Sequence, residues 1–229
     1  MRVTKTSIVL EKHEVENVDA IICATGWRPS CENFFARSLA HDLDLPVTKN
    51  IASFDTEDPH WKTTDEAAER EIAQCFPRLL HPPPHNTRST SLSPFRLYRN
   101  MIPTNVEKYP GIVFLGHIAV GNNFRAAEVQ AIWAVSYLSG IMNLPSRTET
   151  ERDVALALAW CRKRYLSKGQ LGHWLYYDLV PYTDALLEDV GLNSHRRKGR
   201  FGDFCKPCIA EDLEGLIEEL RKKSRRKQP

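Results

Sequence analysis

The chain has 229 residues, of which 42% are hydrophobic and 26% are charged, and its formal net charge is +2. This composition is typical of a globular protein with one large domain or two small ones. The near balance of charges excludes a strong overall attraction to nucleic acid or to an anionic surface. The sequence contains no apolar run of about eighteen residues, so we predict no membrane-spanning helix.

The compartment is inferred from the N-terminal segment and from the cysteines. The first residues contain no apolar core that leads to a cleavage site, so we predict no secretory signal. The cysteines lie at positions 23, 31, 75, 161, 205 and 208, spread along the chain rather than grouped as in a small disulfide-bonded domain. That spread favours a reducing compartment, and we expect a cytoplasmic protein.

Two strands are predicted near the start of the chain. Residues 2–10 (RVTKTSIVL) and 18–23 (VDAIIC) are rich in apolar and β-branched side chains, and the polar segment 11–17 connects them. The second strand leads into Ala24, Thr25 and Gly26, small residues that let another group approach the backbone closely. Taken alone, this triplet most simply forms a turn after a buried strand.

The middle of the chain alternates between loops and short elements. Residues 28–60 are interrupted by prolines and predict loops with one short helix over 32–40. A helix is predicted over 64–76, with Thr64 or Asp65 as its N-cap. Residues 81–94 (HPPPHNTRSTSLSP) predict an irregular proline-rich loop.

A second strand–loop–helix unit follows. Residues 111–116 (GIVFLG) predict a buried strand, and Asn122 or Asn123 can cap a helix over 124–142. The apolar residues of that helix recur at three- and four-residue spacings and predict an inward face, which comprises Val129, Ile132, Trp133, Tyr137 and Ile141.

The remainder of the chain is predicted to be helical. Ser146 and Glu149 match a capping box that opens a helix to about Leu166. Further helices are predicted over 181–190, closed by Gly191, and over 211–223. The predicted order is therefore strands first, a long irregular middle and then helices.

The two strand–loop–helix units together favour a dinucleotide or flavin site. In each unit a predicted buried strand leads into a loop that contains glycine, and in the second a helix begins directly after the loop. Amide N–H groups and the positive end of a helix stabilise negative charge, and glycines permit close approach. A reduced flavin carries negative charge on its pyrimidine side, which such a helix end would stabilise.

Five stretches of the sequence resemble one enzyme family. VDAIICATGW resembles the D-x-x-I-x-A-T-G-aromatic segment of flavin-containing monooxygenases and related Baeyer–Villiger enzymes. LYRNMIP and GIVFLG are similar to the L-Y-(K/R)-x-(M/I)-x-P and F-x-G segments, and YYDLVPYTDALLEDVGL resembles the C-terminal helical part of this family. The E-x-Q-A-x-W-A signature is matched by Glu128, Gln130, Ala131, Trp133 and Ala134.

The resemblance implies an α/β fold that is the C-terminal part of a two-dinucleotide-binding flavoprotein, with an incomplete Rossmann-like sheet followed by a mostly helical region. We expect residues 1–145 to be the remnant of the FAD- and NADP-binding domains, with a variable loop region over 28–110, and residues 146–229 to be the helical region. Such enzymes use FAD and NADPH to transfer oxygen, through a peroxyflavin, to a nitrogen, sulfur or carbonyl carbon of a small molecule. From the resemblance we expect cofactor binding at Ala24, Thr25, Gly26, Gly116, His117, Asn122 and Asn123, and the resemblance indicates no catalytic residue.

The sequence also departs from the family pattern. It contains no G-x-G-x-x-G turn for either dinucleotide. His117 stands where many related flavoproteins place an Asp, and Trp27 replaces the usual Tyr or Phe. We therefore expect the chain alone to bind FAD poorly, whether it is a truncated gene model, a pseudogene product or half of a split enzyme whose other chain supplies the N-terminal half. The alternative is a non-catalytic interaction protein derived from the family.

Two other features invite a functional interpretation. Cys205 and Cys208 have the spacing of a metal-binding pair, but a tetrahedral site needs two more ligands and no partner motif is present, so we predict no metal site. His173 and His195 are unsupported as ligands. The basic segment 221–227 could be a nuclear signal or a nucleic-acid patch, but it lacks interleaved aromatics and is more simply the solvated end of a helix. We do not expect nucleic acid or a membrane as a partner.

Overall fold

The computed structural model describes residues 2–3, 7–9, 13–18, 34–48, 59–84, 90–196, 203, 205, 207 and 209–227. Over these residues the fold is mixed α/β, with most of the ordered structure in helices and two small antiparallel sheets, which confirms the predicted class at this level. The elements in chain order are β1 (Arg2–Val3), β2 (Ser7–Val9), β3 (Glu14–Glu16), α1 (Arg37–Asp42), α2 (Pro59–Cys75), β4 (Leu97–Tyr98), β5 (Ile102–Pro103), α3 (Asn123–Leu138), α4 (Arg147–Tyr165), α5 (Leu179–Val190) and α6 (Leu216–Lys227), with 3-10 turns at Pro77–Leu80, Leu166–Leu171 and Ala210–Leu213.

The N-terminal sheet is an antiparallel meander in the order β1-β2-β3. The predicted strand over 2–10 is divided between β1 and β2, whereas β3 lies within residues 11–17, where the prediction of a polar connection was wrong. All three residues of β3 are exposed, and the strand is held by its backbone pairing with β2, in which Ile8 lies opposite Val15. A surface strand needs ladder hydrogen bonds rather than apolar side chains, so burial patterns do not reveal it. Of the predicted strand over 18–23, the structure describes only Val18, which is in no strand.

Helices α1 and α2 both differ in position from their predictions. The short helix predicted over 32–40 lies at Arg37–Asp42. Helix α2 begins at Pro59 rather than at a cap near Thr64, because proline fits the first helical turn and its missing N–H costs nothing there. Asp65 lies inside α2 and instead binds both guanidinium nitrogens of Arg96, at 2.5 Å each.

Strands β4 and β5 form a two-stranded hairpin in the centre of the chain. Arg99 and Asn100 at its turn have φ values of 52° and 54°, a left-handed conformation that is uncommon for side chains other than glycine. The Met101 N–H donates to the carbonyl of Tyr98 at 2.9 Å and closes the turn. The hairpin therefore depends on contacts that hold Arg99 and Asn100 in place.

The segment 111–116 is not a buried strand, and that prediction was wrong. Within the described ranges it belongs to neither sheet, and Gly111, Leu115 and Gly116 are exposed. One backbone hydrogen bond, from Phe114 N–H to the Met101 carbonyl at 2.7 Å, ties the segment to the hairpin. An apolar run becomes a strand only where a neighbouring strand supplies the ladder, and the described residues supply none here.

The three long C-terminal helices begin and end close to their predicted limits. Helix α3 is capped by Asn122 and ends at Leu138, four residues before its predicted end, where the chain turns through Ser139 and Gly140. Helix α4 has the predicted capping box at Ser146, and Gly191 closes α5 with a φ of 69°. The segment predicted as a single helix over 211–223 is instead a 3-10 turn followed by α6. In the part of the chain that the structure describes, no helix combines the length and apolarity needed to cross a membrane.

The main core joins the hairpin to the helices. The inward face predicted for α3 is confirmed, since Val129, Ile132 and Trp133 are buried and Tyr137 and Ile141 pack against them. Other members of this core come from α2, the hairpin, α4, α5 and the C-terminal segment, and include Trp61, Tyr98, Met101, Ile102, Val154, Leu186, Leu187, Leu213 and Leu216. A smaller contact between α2 and α4 uses Ala68, Ile72, Ala155 and Ala159. The hairpin and the start of α3 are thereby held against the C-terminal helices.

Candidate functional site

The loop from Gly116 to Asn122 leads directly into helix α3. Gly116 has a φ of 75°, and its N–H donates to Gln130 Oε1 at 3.1 Å. The Ala119 N–H donates to the carbonyl of His173, and Ala119 in turn accepts from Leu175 N–H, both at 2.9 Å. The loop is therefore attached at its first residue to α3 and in its middle to the segment 173–175.

The N-terminus of α3 is open to solvent. Asn122 Oδ1 accepts from the Arg125 N–H at 3.1 Å, and the Asn122 carbonyl accepts from the Ala126 N–H. Among the described residues these bonds leave the amides of Asn123 and Phe124 available, and both residues are exposed. With the partial positive charge of a long helix end, this surface suits an anionic or strongly polar group.

A chain of hydrogen bonds supports the loop from below. The side chain of Gln130 is completely buried; it accepts from Gly116 and donates through Nε2 to Tyr182 Oη at 2.8 Å. Tyr182 then donates to the carbonyl of Arg99 at 2.9 Å. Burial raises the pKa of Tyr182, so its hydroxyl keeps its proton at physiological pH. The loop, helix α3, helix α5 and the hairpin turn thus share one polar connection.

The Arg99 side chain anchors the far end of this connection. Its Nε and NH2 groups bind the two carboxylate oxygens of Asp189 at 2.7 and 2.9 Å, and Trp133 Nε1 donates to Asp189 Oδ2 at 2.9 Å. Burial disfavours the charge of Arg99, but the hydrogen bonds and charge of Asp189 outweigh it and raise the pKa of Arg99. Burial also raises the pKa of the neighbouring Tyr98 to about 12. Trp133, which we predicted to be a core aromatic, therefore also orients a carboxylate.

Two imidazoles with buried ring nitrogens lie next to the loop. Both ring nitrogens of His117 and Nδ1 of His173 are inaccessible to water and have no hydrogen-bond partner among the described residues. The His117 ring lies 4.6 Å from that of Phe95, and the His173 ring 5.4 Å from it, between centroids. Burial and the nearby His173 lower the pKa of His117 to about 3, and burial lowers that of His173. Both rings are thus neutral near pH 7.

The segment 173–175 also covers a buried thiol. Cys161 is completely buried, and its Sγ lies 3.5 Å from the Trp174 carbonyl. Burial raises the pKa of this thiol to about 12, so it is not a reactive nucleophile. A Cβ on Gly169 would lie 1.8 Å from the Cys161 carbonyl, so only glycine fits where the 3-10 turn crosses α4.

Of the seven predicted cofactor residues, Gly116, His117 and Asn122 lie on this loop and Asn123 begins α3. Ala24, Thr25 and Gly26 lie outside the described residues. The supporting residues Arg99, Tyr182 and Asp189 were not found from the sequence. One available signal was Gln130, an amide on a helix face that is otherwise apolar at positions 129, 132 and 133.

The cysteine pair, His195 and the basic tail are the other sequence features considered for function. Within the described ranges, no group of three or more His, Cys, Asp or Glu side chains could hold a metal ion, and Cys208 lies outside those ranges. His195 Nδ1 contacts Asp203. In the basic tail, Lys223 Nζ binds the carbonyls of Val190 and Gly191 and so caps the end of α5.

Comparison with known proteins supports the predicted resemblance. Residues 86–196 match the family model described as flavin-binding monooxygenase-like. The chain is 30% identical over 213 residues to the FAD-dependent monooxygenase resA of Aspergillus sclerotiorum, which covers 90% of this chain and 36% of that protein. It is 32% identical over 210 residues to the FAD-dependent monooxygenase DEP4 of Fusarium langsethiae, which covers 89% of this chain and 35% of that protein. A shorter match, 28% identical over 120 residues, links 49% of this chain to 22% of flavin-containing monooxygenase 5 of Cavia porcellus.

The chain spans about a third of the length of the fungal relatives named above. No solved structure matches it significantly. The family match spans the hairpin, the Gly116 loop and helices α3 to α5, the elements that the buried polar connection joins. The predicted resemblance to the C-terminal portion of flavin-containing monooxygenases is therefore confirmed.

Proposed function

We propose that this chain forms one side of the flavin site of an FAD- and NADPH-dependent monooxygenase. The observation that carries the proposal is the exposed N-terminus of α3, preceded by a loop whose first residue is a left-handed glycine fixed by a family-signature glutamine. A glycine turn followed by a helix N-terminus suits a negatively charged cofactor. The names of the fungal relatives support FAD as that cofactor.

In this proposal Gly116, Asn122 and Asn123 lie against the flavin, together with Ala24, Thr25 and Gly26. A Cβ on Gly116 would have no atom within 4 Å, so open space borders its backbone. The His117 ring packs on Phe95, so this residue contributes by supporting the loop. FAD, when bound and reduced by NADPH, supplies the oxygen-transfer chemistry to a small molecule, while this chain orients the cofactor and excludes water.

The proposal includes the larger fold. We infer that residues 1–145 belong to the end of a two-dinucleotide-binding region with Rossmann-like sheets and that 146–229 form its helical region; this boundary stays a prediction. The G-x-G-x-x-G turns that bind the two pyrophosphates come from sequence outside these 229 residues. Another polypeptide could supply them. A cytoplasmic location also stays a prediction.

The test is flavin binding by complementation. Purified chain is titrated with FAD alone and together with the part of the Aspergillus sclerotiorum resA protein that this chain does not match. We expect weak binding alone and, in the mixture, a resolved flavin absorption band that NADPH bleaches. A mixture that binds no FAD would contradict the proposal. Tight binding by the chain alone would contradict its dependence on a second polypeptide.

A second candidate is a non-catalytic interaction protein. One observation favours it: the outer face of α3 exposes Phe124, Val135 and Leu138, of which Phe124 is 90% exposed. Exposed apolar side chains along one helix face are typical of a surface that contacts another chain. Light scattering of the purified chain, with and without FAD, separates the candidates. A monodisperse monomer that binds FAD in the complementation mixture would eliminate this second candidate.

A further inference from the structure

The hydrogen bonds beneath the loop allow a single arrangement of protons. The Gly116 N–H can only donate, so Gln130 must present Oε1 to it and Nε2 to Tyr182. Tyr182 Oη accepts that proton and donates its own to the Arg99 carbonyl, which can only accept. Every group in this series therefore has one defined role, and the orientation of the Gln130 amide is fixed at both ends.

The series ends on a strained but well-anchored residue. Arg99 has a φ of 52°, and its guanidinium is held by two hydrogen bonds to Asp189. The Tyr182 hydroxyl therefore binds a carbonyl whose position is set by an ion pair rather than by a free loop. Movement of the Gly116 peptide away from Gln130 would break a connection that extends to the hairpin.

The burial of Gln130 makes the connection sensitive to each member. Gln130 is 0% exposed, so water cannot replace a lost partner at its amide without entering the core. A buried polar group without a partner destabilises the folded state by more than a typical hydrogen bond stabilises it. Loss of the Tyr182 hydroxyl therefore leaves Nε2 without its acceptor, and the Gln130 amide is then held only by its hydrogen bond from the Gly116 N–H.

We propose that Gln130 and Tyr182 are positioning residues of the flavin site. They fix the direction of the Gly116 peptide and so the course of the loop 116–122 into α3, and they act on the cofactor through that backbone without touching it. This inference rests on the proposed function, because it takes this loop to be the surface that meets FAD. It gives the signature glutamine a role distinct from that of Trp133, which orients Asp189.

The deciding variant is Tyr182→Phe, which keeps the ring and removes one hydroxyl. Tyr165→Phe is the matched control, because the Tyr165 hydroxyl also makes two hydrogen bonds, to Asp178 and to the Tyr177 N–H, and makes no contact with Gln130 or Gly116. Gln130→Met, of similar volume, is the second variant. Two quantities are measured: amide hydrogen exchange over 116–122 in the full chain without FAD, and the affinity and visible circular dichroism of FAD in the complementation mixture.

We expect Tyr182→Phe to speed exchange at Gly116 about tenfold, to weaken FAD binding by a similar factor and to change the flavin dichroism. Tyr165→Phe should change none of these. Wild-type flavin binding with an unchanged spectrum and affinity in Tyr182→Phe would overturn the positioning role alone. Failure of the wild-type mixture to bind FAD would overturn the proposed function, and exchange at Gly116 would still report whether the two side chains fix the loop. If Gln130→Met does not fold, Tyr182→Phe decides the question.

Discussion

Gly116 and His117 are neighbours in the chain, but the amide of the first is hydrogen-bonded to a buried side chain and the ring nitrogens of the second are not. The Gly116 amide begins a series of buried hydrogen bonds in which each donor has an acceptor. The His117 imidazole is buried beside Phe95 with both nitrogens unpaired among the described residues. The first arrangement specifies a single backbone geometry, whereas in the second the ring packs on Phe95 but its buried nitrogens lower the stability of the fold. The course of the loop is therefore fixed from the Gly116 side.

The largest effect should come from breaking the ion pair between Arg99 and Asp189, which anchors the hydrogen bonds beneath Gly116. Asp189→Ala leaves Arg99 without its carboxylate and Trp133 Nε1 without an acceptor, so we expect a loss of about 2–3 kcal/mol in the free energy of unfolding. Asp153 also faces Arg99, at 3.8 Å, but its side chain is 38% exposed. Asp153→Ala is the control and should cost less than about 0.5 kcal/mol. Urea unfolding measures both; equal losses would show that the buried anchor has no special weight.

Removing the unpaired imidazole should have the opposite sign. His117→Leu takes a polar ring without partners out of the core, and we expect it to raise the free energy of unfolding at pH 7 by about 1 kcal/mol. His60→Leu is the control, because His60 is half exposed and pairs with Glu151, so its replacement should not stabilise the fold. A destabilised His117→Leu protein would mean that the ring has a partner that offsets its burial.

The lowered pKa of His117 also predicts how the stability of the fold depends on pH. An unfolded His takes up a proton near pH 6.5, whereas folded His117, with its pKa lowered to about 3, does not. Between these values the unfolded state binds more protons, so the free energy of unfolding falls as the pH falls, by up to about 1.4 kcal/mol per pH unit for this group. His117→Leu should flatten that slope. An identical slope in both proteins, from urea midpoints across the window, would exclude His117 as its source.

A smaller effect should separate two glycines of the loop. Gly116 has a φ of 75°, so Gly116→Ala forces a side chain into the left-handed region and should destabilise the fold by about 1 kcal/mol. Gly121 has no such φ, and a Cβ there would lie 3.6 Å from the Tyr176 carbonyl, an ordinary contact. Gly121→Ala should therefore be neutral or stabilising by about 0.5 kcal/mol. Thermal unfolding of both variants checks this; equal losses would contradict a special backbone role for Gly116.

The smallest effect concerns the helix that carries both Tyr182 and Asp189. Lys223→Met removes the ammonium that caps the carbonyls of Val190 and Gly191, and we expect a loss of about 0.5 kcal/mol. Lys222→Met, on an exposed neighbour in the same helix, should change nothing measurable. If the two variants unfold at the same urea concentration, the tail does not support α5.

Local signals predicted the helices well, and non-local contacts account for most of what was missed. The Asn122 cap, the box formed by Ser146 and Glu149 and the glycine after α5 are encoded within a few residues, so the sequence revealed them. Residues 111–116 read as a strand because their apolarity is visible, but the pairing that makes a strand depends on a neighbour. The roles of Arg99 and Asp189 need segments 90 residues apart to meet, which no local pattern encodes.

Two residues of the family signature have structural roles that the sequence does not reveal. Gln130 and Trp133 match the sequence pattern. In the structure Gln130 is hydrogen-bonded to the loop and to α5, and Trp133 is hydrogen-bonded to α5. The position of Gln130 among apolar neighbours was the one signal in the sequence of a buried polar role. Its partner Tyr182 could not be chosen from the sequence, because several tyrosines lie in the same helical region.

The thiol beneath the segment 173–175 gives the protein a built-in reporter. Cys75 and Cys205 are exposed and should react with an alkylating reagent at once, whereas Cys161, held at 0% exposure, can react only when the layer that carries His173 and Trp174 lifts away. The rate of Cys161 alkylation, measured by mass spectrometry, therefore reports how often that segment opens. Because Ala119 is hydrogen-bonded to the same segment, a ligand that binds the loop should lower the alkylation rate of Cys161 without contacting its sulfur.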